Sequence, residues 1–352
     1  MTDDLLDLLM DLLRLPGISG HEGLVAARVQ ESWAPLVDEL HVDLLGNLVA
    51  TRNGVTPGPR PTMLITAHMD SVGFIVRGIL DGFVQVSQVG RFDDRLLPGQ
   101  SVTVHGARPI PGLIVAPARA GLPEKIGGGV VPTKYLLVDL GLPAGEIQRV
   151  VKVGDSLSFD NPPRFLADDV ICGHSLDNRA SLAALEVCLK ALAGIELKWD
   201  LVMAATVQEE TTAYGAQSAG HTTGPAAAIV VDVTYGRAYA EPENESFPLG
   251  GGPTNAWSAE VHPGVYREIE AAAERAGVAL TREILPSDTG TEARGILIGG
   301  AGIPLGVLSI PLRYMHNPVE VVMLSDIRQT GLLLAEVVAG LDDEFLRRLA
   351  LD

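Results

Sequence analysis

The stretch TMLITAHMD, at residues 62–70, decides the fold class of this chain. Its first part is a continuous apolar run, which is typical of a strand covered on both faces. Three further runs of the same character lie at 201–207, 227–231 and 305–310. Helical patterns at 180–192 and 265–276 separate some of these runs. Strands that alternate with helices in this way predict an α/β domain with a mostly parallel sheet.

The segment 73–166 has a different pattern. It is rich in Val and Gly, its apolar runs are short, and turn residues recur about every ten positions without a long helical pattern. We therefore expect a small all-β domain inserted into the α/β domain. The predicted domains are 1–72 for the first part of the α/β domain, 73–166 for the insert, and 167–352 for the second part.

The composition bounds the class of protein. Of 352 residues, 47% are hydrophobic and 20% are charged, so the chain can bury a large core and lacks the signature of disorder. It carries 26 basic and 44 acidic residues, a formal net charge of −18. This charge argues against a nucleic-acid backbone or an anionic membrane as the main partner.

The cysteine content and the N-terminus predict a location. Cys172 and Cys188 cannot build a disulfide framework or a zinc finger, and they suit a reducing compartment. The N-terminal sequence lacks the positive charge of a signal peptide, and no apolar stretch is long enough to span a bilayer. We therefore expect a cytoplasmic protein.

Potential metal ligands follow the apolar runs. They are His68 and Asp70, Glu209 and Glu210, Asp232, and His316, with Asp177 just before the helical pattern at 180–192. In open α/β sheets, ligands bind outside the carboxyl ends of the strands, so these groups should converge on one crevice. A single His after a strand is usually an ordinary polar residue. An acidic pair behind a buried run needs a cation or a proton, which favours the metal interpretation.

The mixture of ligand types indicates catalysis rather than structural support. Structural zinc sites favour Cys and closed coordination. Two His with several carboxylates suit two hydrolytic metal ions, because a bridging carboxylate can hold the ions about 3.5–4 Å apart, where they activate water and polarise a carbonyl. A glycoside hydrolase needs a carboxylate pair without obligatory metal, which would leave His68 and His316 without a role.

Five short motifs occur in order along the chain. They are AHMDSVG at 67–73, HSLDNR at 174–179, QEE at 208–210 with GA at 215–216, VDV at 231–233, and PLRYMHNPVE at 311–320. Together they resemble the TET-type dinuclear metallo-aminopeptidases, which include glutamyl and deblocking aminopeptidases and proteins once labelled endoglucanases. One such motif is weak evidence, whereas five at the right intervals are strong. The resemblance covers nearly the whole chain.

The resemblance implies a role for each candidate residue. The metal-binding roles fall to His68 and Asp232 at the first metal, to Glu210 and His316 at the second, and to Asp177 as the bridge between them. Glu209 would be the general base that takes a proton from the bridging water. Asp70 would orient the imidazole of His68. The implied cofactors are two divalent metal ions per subunit, and both zinc and cobalt suit His and carboxylate ligands.

The resemblance also implies the activity and the assembly. We expect a metal-dependent aminopeptidase that hydrolyses N-terminal residues from short peptides with a two-metal-activated water. The insert would pair subunits, and self-association would give a tetrahedral homododecamer that encloses the active sites. A metal-dependent deacylase of small amides is the alternative, because the same two-metal site would serve it. The intact ligand set argues against a structural protein with a degenerate site.

Two segments depart from the family pattern. Residues 211–214 read TTAY where the family commonly has VGLR, and Glu292 stands where the family has the Asp of a GTD motif. Both lie near the substrate pocket by analogy, so the preferred N-terminal residue stays open, as do the native metal and the exact oligomer size. The remaining histidines are expected at the surface or in loops: His21, His41, His105, His174, His221 and His262.

Overall fold

The computed structural model describes residues 2–126 and 128–350, which form a large sheet layered with helices and a separate small barrel. The strands are β1 (Glu39–Val42), β2 (Leu48–Arg52), β3 (Thr62–His68), β4 (Gly73–Leu80), β5 (Phe83–Val89), β6 (Ser101–His105), β7 (Pro109–Val115), β8 (Leu137–Asp139), β9 (Ser156–Phe159), β10 (Arg164–Ala167), β11 (Val170–Gly173), β12 (Asp200–Thr206), β13 (Ala227–Tyr235), β14 (Thr254–Trp257), β15 (Thr281–Ile284), β16 (Leu305–Arg313) and β17 (Glu320–Met323).

α-Helices lie between many of these strands. They are α1 (Thr2–Leu12), α2 (Gly23–Trp33), α3 (Ala144–Val150), α4 (Leu176–Ala191), α5 (Tyr214–Thr223), α6 (Pro263–Ala276), α7 (Ala293–Leu297), α8 (Leu324–Gly340) and α9 (Asp343–Arg348). Within the described ranges, none of them is long and apolar enough to cross a membrane.

The large sheet has 11 strands and is mixed. Its main order is β1-β2-β12-β3-β13-β16-β17-β11-β10, and β14 extends it by pairing with β16 and β15. The central pairs β12–β3, β3–β13 and β13–β16 are parallel. The flanking pairs of this order are antiparallel. The predicted α/β class is confirmed, but the sheet is mixed rather than mostly parallel, with β12, β3, β13 and β16 parallel at its centre.

Helices cover both faces of the sheet, which explains the continuous apolar runs. In β3, Met63, Ile65 and Ala67 pack into a core with residues of α2, α4, α6 and α8. Leu64 packs into a second core with residues of α5 and α7. Because successive side chains of a strand point to opposite faces, a strand buried on both sides is apolar along its whole length.

The inserted β domain is a closed barrel. Its strands follow the order β4-β5-β8-β7-β6-β9, and all its pairs are antiparallel. The interior includes Phe74, Val104 and Leu157, and Ile147 of α3 packs against them. The barrel thus has a core of its own, which confirms the predicted all-β insert.

The barrel strands begin at Gly73 and end at Phe159, inside the predicted insert of 73–166. β10 also starts inside that range, but it pairs with β11 of the large sheet. Because strand pairing defines which strands form a sheet, β10 belongs to the large sheet and not to the barrel. We therefore propose that the insert ends between Phe159 and Arg164.

Candidate metal centre and active site

Asp177 lies between two histidines at the carboxyl edge of the parallel strands. Its Oδ1 is 3.2 Å from Nε2 of His68, and its Oδ2 is 3.3 Å from Nε2 of His316. The carboxylate is buried, and the peptide bond from Asp177 to Asn178 is cis. One carboxylate thus presents a different oxygen to each imidazole, which is the arrangement that a bridging ligand needs.

Two groups of potential ligands share Asp177. The first also contains His68 and Asp232, the second also contains Glu210 and His316, and within each group one donor atom per residue lies within 4.8 Å of the others. Nε2 of His68 is 3.8 Å from Oδ1 of Asp232, and Nε2 of His316 is 3.4 Å from Oε2 of Glu210. The fold therefore brings together the five residues that were predicted as metal ligands.

The sheet topology explains why these residues meet. His68 is the last residue of β3, and it pairs with Thr206 at the end of β12. Asp232 lies inside β13 rather than at its end, because β13 continues along β16 to Tyr235. The pairing of β13 with β3 stops at Val230, and Asp232 lines the crevice with its Oδ1 3.8 Å from Nε2 of His68.

Glu209 belongs to neither ligand group. Its Oε2 lies 3.9 Å from Nε2 of His68, and it lines the same crevice. Its neighbour Glu210 is directed to His316 instead. Burial raises the pKa of Glu209 to about 7, although the nearby His68 acts in the opposite direction. The two adjacent carboxylates therefore meet different partners.

Asp70 holds this acidic pair in place. Its Oδ1 accepts a hydrogen bond from the backbone N–H of Glu209 at 2.9 Å, and its Oδ2 accepts one from that of Glu210 at 3.2 Å. The Ser19 hydroxyl donates to the same carboxylate. Nδ1 of His68 is 3.0 Å from the backbone oxygen of Asp70 and 3.5 Å from its Oδ1. Asp70 thus contacts the imidazole mainly through its main chain, while its side chain fixes the acidic pair.

Glu320 is a buried residue to which the sequence assigned no role. Its Oε2 accepts the backbone N–H of Asp177 at 3.1 Å, and its Oε1 accepts that of His316 at 3.2 Å. It is the first residue of β17. The sequence did mark Glu320, because it is the last residue of the PLRYMHNPVE motif. Its role could not be inferred, because the two backbone groups that it binds come together only in the folded chain.

Left-handed backbone conformations concentrate in the loops that carry the ligands. Ser175, Gln208 and Ala213 have φ values of 69°, 63° and 57°. Tyr314 and His316 have φ values of 62° and 58°. A non-glycine residue in this region costs on the order of 1–3 kcal/mol, and such residues cluster at functional sites. The surrounding fold therefore imposes the paths of these loops.

The site holds more negative charge than its neighbours balance. Burial raises the pKa of both Glu210 and Asp232 well above the usual range, and the charge of Asp177 adds to the shift. Burial acts against the charged form of His68, but Asp177 raises its pKa above the usual value. In the described part of the chain, no Lys or Arg lies within 4.0 Å of these carboxylates, which contact the two imidazoles. Buried oxygen and imidazole donors with this unbalanced charge fit divalent cations.

His174 lies in the loop between β11 and α4, and a loop was one of the two places expected for it. His174 is buried rather than exposed, and its ring packs edge-on against Phe159 of the barrel with the ring centroids 4.9 Å apart. Burial lowers the pKa of His174 to about 3, so the ring is neutral. The sequence around His174 could not predict this burial, because the barrel strand that covers the ring comes from a different segment of the chain. The other five are exposed or half-buried.

The two departing segments lie outside the cavity wall. Glu292 is buried, and its Oε2 accepts a hydrogen bond from Oγ1 of Thr206 at 2.5 Å. Thr291 lines the cavity, but among the described lining residues neither Glu292 nor any residue of 211–214 appears. Glu292 therefore supports the end of β12 instead of facing the substrate space.

A cavity of about 950 Å³ opens beside the ligand groups. His68, Asp177, Glu209, Asp232 and His316 form part of its wall. The rest of the wall comes mainly from the segments 233–247, 283–286 and 289–291. A concave space of this size next to clustered ionisable groups is the usual form of a substrate site.

The chain matches known proteins along most of its length. Residues 46–333 match the model of the M42 glutamyl aminopeptidase family. A putative aminopeptidase of Acetivibrio thermocellus is 32% identical over 341 residues, which cover 96% of this chain and 99% of that protein.

Solved structures share the whole architecture. A TET aminopeptidase from the marine sediment archaeon Thaumarchaeota archaeon SCGC AB-539-E09 superposes with a TM-score of 0.91 at 28% identity and covers 99% of each chain. The TET1 peptidase of Pyrococcus horikoshii, which can assemble into a tetrahedron or a large octahedral shell, gives a TM-score of 0.81 at 25% identity. The match covers 96% of this chain and 100% of that one.

The fold and the clustered His and carboxylate side chains define the class, which is an α/β peptidase with candidate metal-binding residues. The chain belongs to the M42 glutamyl aminopeptidase family and is an aminopeptidase. The family resemblance that the five motifs indicated is thereby confirmed.

Proposed function

We propose that this protein is a dinuclear metallo-aminopeptidase that hydrolyses N-terminal residues from short peptides. The Asp177 carboxylate carries the proposal, because it offers one oxygen to His68 and the other to His316. Asp232 would complete the first metal site, and Glu210 the second. When bound, two divalent cations would polarise the scissile carbonyl and lower the pKa of the attacking water. Zinc and cobalt both suit these ligands.

Glu209 is the general base of this proposal. It lies beside the first ligand group without belonging to it, and Asp70 fixes its main chain relative to His68. Its carboxylate takes the proton of the attacking water and delivers it to the leaving amine. Further carboxylates in the cavity wall would attract the free ammonium group at the N-terminus of a peptide. This attraction supports cleavage from the N-terminal end.

The alternative of a deacylase gains no support. The three relatives described above are named as aminopeptidases or peptidases. An acylated N-terminus would lack the ammonium group that the acidic wall attracts. No feature of the site favours such a substrate over a free peptide.

We also propose self-association into a tetrahedral homododecamer. The TET1 peptidase of P. horikoshii, which shares this fold, can assemble into a tetrahedron or a large octahedral shell, and the tetrahedron is the form that we propose here. Among the described residues, two adjacent pairs of apolar side chains are exposed, Leu44 with Leu45 between β1 and β2, and Phe165 with Leu166 on β10. Neighbouring exposed apolar side chains are typical of surfaces that a second subunit covers.

Metal analysis and turnover test the proposed chemistry together. Protein loaded with Zn²⁺ or Co²⁺ should hold two ions per chain and cleave aminoacyl arylamides. A chelator should abolish the turnover, and either metal should restore it. Acylated amino acids and cello-oligosaccharides are assayed in parallel. Trace metal with activity untouched by chelator, or hydrolysis of these compounds in place of arylamides, would contradict the proposal.

A further inference from the structure

The cavity wall is acidic beyond the proposed metal ligands. Glu241 and Glu245 line it from the loop between β13 and β14, and Glu283 lines it from β15. Among the described residues that form the wall there is no Lys and no Arg. A substrate side chain that enters this space therefore meets carboxylates that no Lys or Arg of the described wall balances.

The three carboxylates differ in their own contacts. Glu283 is buried, and its two oxygens accept hydrogen bonds from the hydroxyls of Thr234 and Thr254, both at 2.6 Å. In the part of the chain that the structure describes, the carboxylates of Glu241 and Glu245 make neither a hydrogen bond nor an ion pair within 4.0 Å. Glu241 and Glu245 thus remain available to a ligand.

The loop that carries Glu241 and Glu245 has a defined path. A β-bridge joins Gly236 to Phe247 at its base, and the Ser246 hydroxyl donates to the backbone oxygen of Pro242 at 2.7 Å. This closure fixes the path of the loop that brings Glu241 and Glu245 to the cavity wall.

The same wall also contains apolar surface. Phe247, Ile284 and Leu285 line the cavity beside the carboxylates. Lys and Arg side chains combine an apolar stem with a cationic end, so they match a wall of this mixed character. An acidic side chain would meet like charges, which costs binding free energy, and a purely apolar one would leave the carboxylates unpaired.

We propose that this cavity binds the side chain of a basic N-terminal residue, Lys or Arg, and that Glu241 and Glu245 determine the preference. The inference rests on the proposed aminopeptidase function, because it assigns the residue that the enzyme removes. It names two residues whose contribution is to substrate selection and not to the chemical step.

Steady-state kinetics on metal-loaded enzyme test the inference. We expect kcat/KM for Lys and Arg p-nitroanilides to exceed that for the Leu compound, with the Glu compound the poorest substrate. In the double variant Glu241→Gln with Glu245→Gln, the Lys-to-Leu ratio should fall roughly 10-fold, mainly through KM, since the lost contact contributes to binding. Added NaCl should lower the same ratio in the unmodified enzyme, because it screens the attraction.

Glu243→Gln is the matched control. Glu243 belongs to the same loop and its substitution also removes a negative charge, but Glu243 pairs with Arg237 at 3.6 Å and is not among the described residues that line the cavity. Its Lys-to-Leu ratio should stay within twofold, roughly, of the unmodified value. A preference for Leu or Glu, or a ratio unchanged in the double variant, overturns the inference and leaves the aminopeptidase proposal standing. No turnover of any aminoacyl compound by fully metal-loaded protein overturns both.

Discussion

At the residue scale, Glu209 and Glu210 show how two adjacent and identical side chains can have different roles. Oε2 of Glu210 lies 3.4 Å from Nε2 of His316, whereas Oε2 of Glu209 lies 3.9 Å from Nε2 of His68. The Asp70 carboxylate accepts a hydrogen bond from the backbone N–H of each of these two residues. Because the main chain is fixed in the same way, substitutions at the two positions report on the side chains alone.

Glu209→Gln keeps the shape of the side chain but removes its ability to accept a proton from the attacking water. We expect turnover to fall roughly 10²–10⁴-fold, the usual contribution of a general base. Both metals should stay bound, since Glu209 is outside the two ligand groups. Metal content by elemental analysis and kcat, measured on the same sample, check this expectation.

Glu210→Gln serves as the comparison. It removes a charged donor from the second ligand group, so the second metal should bind more weakly while the first stays. Excess metal should recover part of the activity in Glu210→Gln and none in Glu209→Gln. If Glu209→Gln loses a metal and Glu210→Gln keeps both, the two roles are reversed.

At the element scale, the packing of α8 on α4 positions Asp177, which lies at the start of α4. Gly331 of α8 sits at this contact, where an added Cβ would come 2.4 Å from the backbone oxygen of Ala184 and 2.5 Å from Cβ of Val187. Contacts this short cannot form without separating the helices. The absence of a side chain at Gly331 therefore allows the close approach of α4 and α8.

Gly331→Ala should consequently lower the free energy of unfolding by about 1–3 kcal/mol, the usual cost of overpacking a core. The midpoint of thermal unfolding at fixed protein and metal concentration measures the effect. Gly23→Ala is the matched control, because Gly23 begins α2 and an added Cβ there meets nothing within 4 Å. Its midpoint should be equal to or above that of the unmodified protein, since alanine favours helix. Equal midpoints for the two variants would refute the packing argument.

At the scale of the whole molecule, the acidic surface and the exposed apolar pairs act in opposite senses. The net charge of −18 opposes unspecific association. Exposed Leu44 and Leu45, by contrast, would be covered in a specific contact between subunits. A charged protein with a few adjacent apolar side chains on its surface is therefore expected to form defined assemblies instead of aggregates.

Light scattering under native conditions should give a mass twelve times that of one chain, and the assembly should cleave short peptides while sparing folded proteins. Replacing Leu44 and Leu45 together by Asp should shift the mass to smaller species with unchanged circular dichroism, because charge at a covered apolar contact is costly. A purely monomeric unmodified protein would refute the assembly without affecting the chemistry. An unchanged mass in the double variant would remove this loop from the subunit contacts.

The sequence by itself determined the class of fold and the candidate ligands. A strand covered on both faces is apolar at successive positions, so the runs at 62–67 and 201–207 could be identified locally. The carboxyl ends of parallel strands share one edge of a sheet. That rule alone was enough to expect His68 and the pair Glu209 and Glu210 in one crevice.

Only the tertiary structure decided the features that depend on contacts between distant segments. The antiparallel flanks of the sheet and the closure of the barrel arise from strand pairing that no local pattern encodes. Asp232 reaches the crevice from inside β13 because the pairing of β13 with β3 stops at Val230 while β13 continues along β16. Glu320 accepts hydrogen bonds from two backbone N–H groups that belong to separate segments of the chain. Glu241 and Glu245 reach the cavity because their loop folds back on itself. Burial and pairing over long separations are properties of the packed molecule, and they place the side chains that the sequence can only name.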